Sequence, residues 1–124
     1  MNQTESNREL AETVFRAMNT RDFNELELAV TDNVSFDFPG TGRTEGKRRT
    51  LLLLKTLLRK FPKLNFTVSD IVVEGNRACT VWTNEGTDGL GKPYNNSGIT
   101  LMHFADGNIT FISDYFKDTS FTVS

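Results

Sequence analysis

The 124-residue chain holds one cysteine, one histidine and no long apolar run, and each scarcity excludes something. With Cys79 alone, neither an intrachain disulfide nor a four-cysteine zinc site can form, which fits a reducing, cytoplasmic setting. His103 alone leaves a histidine-based metal site without ligands, and no metal or cofactor is expected. The longest unbroken apolar run, Leu51 to Leu54, falls far short of the roughly 20 residues that span a bilayer as a helix. The opening "MNQTESNRELAE" lacks the cationic segment and apolar run of an export signal, so neither membrane nor secretion is expected. Positive charge is not in excess either: the net charge is -2, with a pI near 5.4, and no broad field favours nucleic acid. Eight of the 14 Lys and Arg do lie between Arg43 and Lys63, among them Lys47, Arg48, Lys55, Arg59 and Lys60. On an amphipathic helix such a run is ordinarily a solvated face, so nucleic acid is not the expected partner.

What is abundant is phenylalanine. Ten Phe in a chain 37% apolar and 24% charged describe a globular protein, and the length fits one domain over residues 1–124. In "SNRELAETVFRAMNT", Ser6 and Glu9 stand in capping-box spacing, and Leu10, Ala11, Val14, Phe15 and Met18 recur at helical intervals. In "TRDFNELELAV", Asp22 can cap a short second helix carrying Phe23, Leu26 and Val30. "NVSFDFPGTG" reads as one strand with Phe36 and Phe38 on one face, ending in a loop at Pro39-Gly40. A third helix then places Leu51, Leu54, Leu58 and Phe61 on one side.

From Leu64 onward β-branched and aromatic residues dominate. Gly75-Asn76 and Asp106-Gly107 each separate two apolar runs and predict two-residue hairpin turns, with the Gly-rich "EGTDGLGKPY" as a rim loop between the hairpins. The order is therefore helix, helix, strand, helix and four strands, an α+β domain with helices against one face of an antiparallel sheet.

This order and three stretches resemble the superfamily of nuclear transport factor 2, ketosteroid isomerase, limonene epoxide hydrolase and the SnoaL-like polyketide cyclases, the last most of all. The stretches are "FRAMNTRDFNELELAVTDNVSF", "EGKRRTLLLLKTLLRKFP" and "FADGNITFISDYFKD", and together they span nearly the whole chain. The resemblance implies a curved antiparallel sheet wrapped around three N-terminal helices, a cone with an apolar pocket, and commonly a homodimer. In the epoxide hydrolases and some cyclases an acid in the matching "DYF" works in proton transfer, and Asp114 stands there. Other catalytic parts do not carry over. Phe15 replaces the isomerase tyrosine, Phe38 the isomerase aspartate, and Phe36 and Phe38 the water-holding pair of the epoxide hydrolases; their bridging arginine has no match.

Strand alternation puts Thr110, Ile112, Asp114 and Phe116 on one face of the last strand, and Ile109, Phe111, Ser113 and Tyr115 on the other. A carboxylate facing a closed apolar pocket has its pKa pushed upward, into the range useful for acid-base work. His103 is a candidate base, but hairpin counting pairs it with Thr110 and leaves Asp114 roughly 13 Å along the strand, too far for a dyad. Phe15, Phe36, Phe38 and Trp82 are expected to line the pocket, with Tyr94 and Asn95 near its mouth. Two functional classes follow. One is an enzyme acting on a small, mostly apolar carbonyl compound through Asp114; the other is a ligand-binding or dimerisation domain without catalysis.

Overall fold

The computed structural model describes residues 2–120. Helix α1 (Gln3–Thr20) is followed at once by α2 (Asn24–Ala29), then strands β1 (Val30–Phe38) and β2 (Gly42–Glu45) and helix α3 (Lys47–Lys60). Strands β3 (Asn65–Glu74), β4 (Arg77–Thr87), β5 (Pro93–Ala105) and β6 (Asn108–Phe116) complete one six-stranded sheet in the order β2-β1-β6-β5-β4-β3. All pairings are antiparallel except β1 with β6, which run parallel. Both expected hairpin turns are present, at Gly75-Asn76 and Asp106-Gly107.

Three local features differ from the sequence reading. In place of a Ser6–Glu9 capping box, Asn2 caps α1 four residues earlier: its side chain accepts from the Glu5 amide at 2.8 Å, and its Nδ2 donates to Glu5 Oε1 at 3.1 Å. Asp22 holds the Asn24 amide, while Phe23 occupies the cap position of α2. The loop after Pro39 turns back as β2, a short edge strand whose "GRTE" offers no apolar alternation to betray it.

One face of the sheet is covered by the helices. Buried side chains from α1, α3 and all the long strands merge there into one core, from Val14 and Phe15 through Leu54 and Leu58 to Met102 and Ile112. The Asn19 side chain donates to Phe66 O at 2.9 Å and accepts from Phe66 N at 2.7 Å, closing part of the open edge of β3. No helix among the described residues is long and apolar enough to cross a membrane.

Thr80 lies in this core fully buried, and its hydroxyl has no hydrogen-bond partner. Valine keeps its shape without the unpaired oxygen, so Thr80→Val should raise unfolding stability by about 1 kcal/mol. Chemical denaturation checks this, and a lowered midpoint would refute it.

Candidate functional site

The inner sheet face and the helices laid across it enclose an apolar cavity of about 60 Å³. That is several times the ~10–15 Å³ one water needs. Phe15 and Met18 of α1 and Leu54 and Leu58 of α3 form its roof, and the sheet forms its floor. Aromatic rings run in series from the roof along the floor. Phe15 meets Phe66 at 5.8 Å between ring centroids, Phe66 meets Trp82 at 5.4 Å, Trp82 meets Phe116 at 6.3 Å, and Phe116 meets Phe38 at 5.4 Å.

Into this carbon-lined space one carboxyl group is set. Thr100 and Asp114 are directly opposed on β5 and β6, and the Thr100 hydroxyl donates to Asp114 Oδ1 at 2.7 Å. The Trp82 indole Nε1–H in turn donates to Thr100 Oγ1 at 2.9 Å. An indole nitrogen can only donate, so Thr100 must receive that bond and aim its own hydrogen at Asp114. Thr100 thus engages Oδ1 of the carboxyl group.

Asp114 is half-buried as a residue, but its carboxyl group is withdrawn from bulk water. Burial penalises its charged form and outweighs the Thr100 hydrogen bond, so its pKa rises from the usual 3.8 to about 6. Thr100→Val removes the one bond that favours the carboxylate and orphans the Trp82 N–H. The Asp114 pKa should then rise further, at a stability cost of about 1–3 kcal/mol. Thr100→Ser should restore both. An NMR titration of the Asp114 carboxyl reads the effect, and an unmoved midpoint would refute it.

Of the residues singled out in the sequence, Phe15, Phe38, Trp82, Tyr94 and Asp114 meet around this cavity. Tyr94 packs on Phe61 at 4.5 Å, and burial raises its pKa. Three do not join them. Phe36 is fully buried but lies in the core behind Phe38, its ring 5.8 Å away, and does not line the cavity. Asn95 is exposed, because strand alternation turns it outward and its neighbour Asn96 inward. His103 is exposed beside Phe111, on the sheet face opposite Asp114.

The outward position of His103 has a specific cause. Strands β5 and β6 pair Ala105 with Asn108 and Phe104 with Ile109, and then His103 with Phe111, so Thr110 is the extra residue of a β-bulge. The bulge brings Ile109 and Ile112 to the same buried face, and it moves the partner of Asp114 from Ile99 to Thr100. Hairpin counting therefore missed Thr100. Asn84, Asn96, Phe66 and Phe116 also line the cavity unforeseen; alternation along β4 and β5 places Asn84 and Asn96 on the face of Trp82 and Thr100.

Among the described residues, no group of three His, Cys, Asp or Glu side chains stands close enough together to hold a metal ion. An α+β cone with a carboxyl group inside an apolar pocket defines a class, and comparison with known proteins gives it a name. The family model of the SnoaL-like domain matches residues 11–112, and the chain belongs to that family. No curated protein matches the sequence.

Among solved structures, a provisionally named SnoaL-like polyketide cyclase from Jannaschia sp. CCS1 superposes with a TM-score of 0.85 at 17% identity, covering 94% of this chain and 90% of that one. An NTF2-like protein from Anabaena variabilis gives 0.82 at 19% identity, with 95% and 94% covered. An LEH-like epoxide hydrolase of M. tuberculosis gives 0.78 at 24% identity, with 94% and 86% covered. At such identities the likeness is one of fold.

Proposed function

We propose that this protein binds a small, mostly apolar carbonyl compound in the cavity and that Asp114 transfers a proton on it. One observation carries the reading: a carboxyl group held at Oδ1 by Thr100 inside a wall of carbon, with its pKa raised to about 6. Near neutral pH such a group is mostly ionised yet basic enough to take a proton from carbon next to a carbonyl. Oδ2 receives that proton, since Thr100 fills Oδ1, and returns it to another position of the substrate. Isomerisation and cyclisation both begin with this step, and a carboxylic acid formed at Oδ2 can also protonate a double bond for hydration. That the structural neighbours include proteins named as a cyclase and an epoxide hydrolase supports a small-molecule substrate.

The test needs no product to be known. Enolisable apolar ketones incubated in deuterium oxide should exchange their α-hydrogens in the presence of the native protein and not with Asp114→Asn, as followed by proton NMR. Equal exchange with both proteins would remove Asp114 from the chemistry. Ketone binding without exchange would make the protein a non-catalytic carrier.

Members of this family often dimerise, and the outer sheet face suits a homodimer. Tyr115 and Ile99 are 55% and 38% exposed there and, with Val81, line one broad depression. Ile99→Lys at that position should shift the chain to monomer in sedimentation, and an unchanged dimer would place the interface elsewhere. A cytoplasmic setting belongs to the same reading, on the strength of the single free thiol of Cys79.

A further inference from the structure

The cavity contains a second unspent polar group. Asn84, on β4, is only 7% exposed and lines the cavity, and its Oδ1 is buried without a hydrogen-bond partner. Its neighbours on the same wall are committed. Asn96 donates to Tyr94 Oη at 3.1 Å and to Asp118 O at 2.8 Å, and its Oδ1 accepts from the Ser97 and Asp118 amides at 2.9 and 3.0 Å. Thr100 is taken up between Trp82 and Asp114. A buried carbonyl left without a donor costs stability, a cost that a bound donor would relieve.

Position says where that donor sits. Thr80 stands opposite Thr100 in the sheet row that ends at Asp114, and Asn84 lies four residues further along β4. One inward row, that of Trp82, lies between them over roughly 13 Å along the strand, and Asp114 stands two strands across from β4. Between the two polar groups the floor is aromatic, with Trp82 and Phe116, and Phe66 stands beside Asn84 on β3. That oxygen is itself buried, and a ligand in the cavity meets it once the amide turns about its soft terminal torsion.

We infer that Asn84 is a specificity-determining residue that accepts a hydrogen bond from a hydroxyl or N–H group on the ligand. This inference rests on the binding of a small apolar carbonyl compound proposed above and narrows its class. The ligand is two-ended, with its carbonyl end at Asp114, an apolar and preferably flat middle against the aromatic floor, and a hydrogen-bond donor at the far end. Water would otherwise have to follow the ligand in to satisfy Asn84, and the surrounding wall offers it few partners.

Trp82, the only tryptophan, lines the cavity and reports binding by its fluorescence without any turnover. Three probes separate donor from acceptor: para-hydroxyphenylacetone, its methyl ether and phenylacetone. The native protein should bind the hydroxyl compound on the order of tenfold more tightly than either of the others, equivalent to about 1.4 kcal/mol. Asn84→Leu should lose that preference while unfolding at no lower temperature, since it removes the unpaired oxygen. Equal affinities in the native protein, or a preference that survives in Asn84→Leu, would overturn the inference and leave the cavity-binding reading standing. Quenching by none of the three would overturn both.

Discussion

Asp114→Asn should make the protein more stable at about pH 8 and at the same time abolish proton exchange on bound ketones. The two effects have one source. In the unfolded chain the carboxyl group titrates near 3.8, and in the folded protein near 6. Between these values the folded chain keeps a proton that the unfolded chain releases, so stability is greatest below the lower value and falls as pH rises through the upper one. Each pKa unit is worth about 1.4 kcal/mol, so the full loss is on the order of 3 kcal/mol, complete above about pH 7. Asparagine carries no charge at any pH and can still accept from Thr100. It should recover about 1–3 kcal/mol at high pH, roughly 3–10 °C in Tm for a chain of this size, and almost nothing at about pH 4. Thermal unfolding of both proteins across that range decides the matter. A difference between the two proteins that does not grow with pH across that window would mean that Asp114 is not the buried acid described. The group proposed to transfer the proton is thus one that costs stability, as functional sites commonly do.

Gly98→Ala should destabilise the fold by about 3 kcal/mol or more, a large fraction of the ~5–15 kcal/mol typical of a domain. Gly98 faces Phe116 across the β5–β6 ladder. A β-carbon built on it would run into the Tyr115 carbonyl oxygen and lie 2.8 Å from Phe116 Cα and 2.9 Å from Phe116 Cβ. Two of these three atoms are backbone and cannot rotate away; they yield only if β6 separates from β5. That separation would also displace Phe116 from the cavity wall and disturb Asp114, two residues earlier in β6. Urea denaturation should show the lowered midpoint, and any folded remainder should bind the ketone probes more weakly. A midpoint equal to that of the native protein would show that the two strands have slack here.

Most of the architecture was legible because it rests on local chemistry. Leu51, Leu54 and Leu58 recur at helical spacing and are buried on one side of α3, while Leu52 between them is 57% exposed. Gly75-Asn76 and Asp106-Gly107 form turns because Gly75, Asp106 and Gly107 tolerate the positive φ angles of 57°, 52° and 80° that such turns need. Strand β2 escaped notice for the converse reason. Its four residues carry no apolar alternation, and they become a strand only because β1 offers them an open edge.

At the site, alternation along β6 correctly turns Asp114 toward the side of Ile112 and Phe116, and the abundance of phenylalanine anticipates an aromatic wall. Which phenylalanines line the cavity did not follow. Phe36 and Phe38 share a face, but curvature sends one into the core and the other to the cavity. The strand-end residues Asn95 and Asn96 were separable only once the register with β4 was known.

By itself the sequence determined the α+β order, the hairpin turns, the buried helix faces and the presence of one acid in the last strand. All of these follow from propensity and periodicity within a few residues. The tertiary structure alone decided that Thr110 is extruded as a bulge, that Thr100 therefore meets Asp114, that His103 faces away, and that Asn84 keeps an unpaired oxygen in the cavity wall. Those outcomes depend on how two strands distant from one another in the chain come into register, and a shift of one residue in that register changes every partner beyond it.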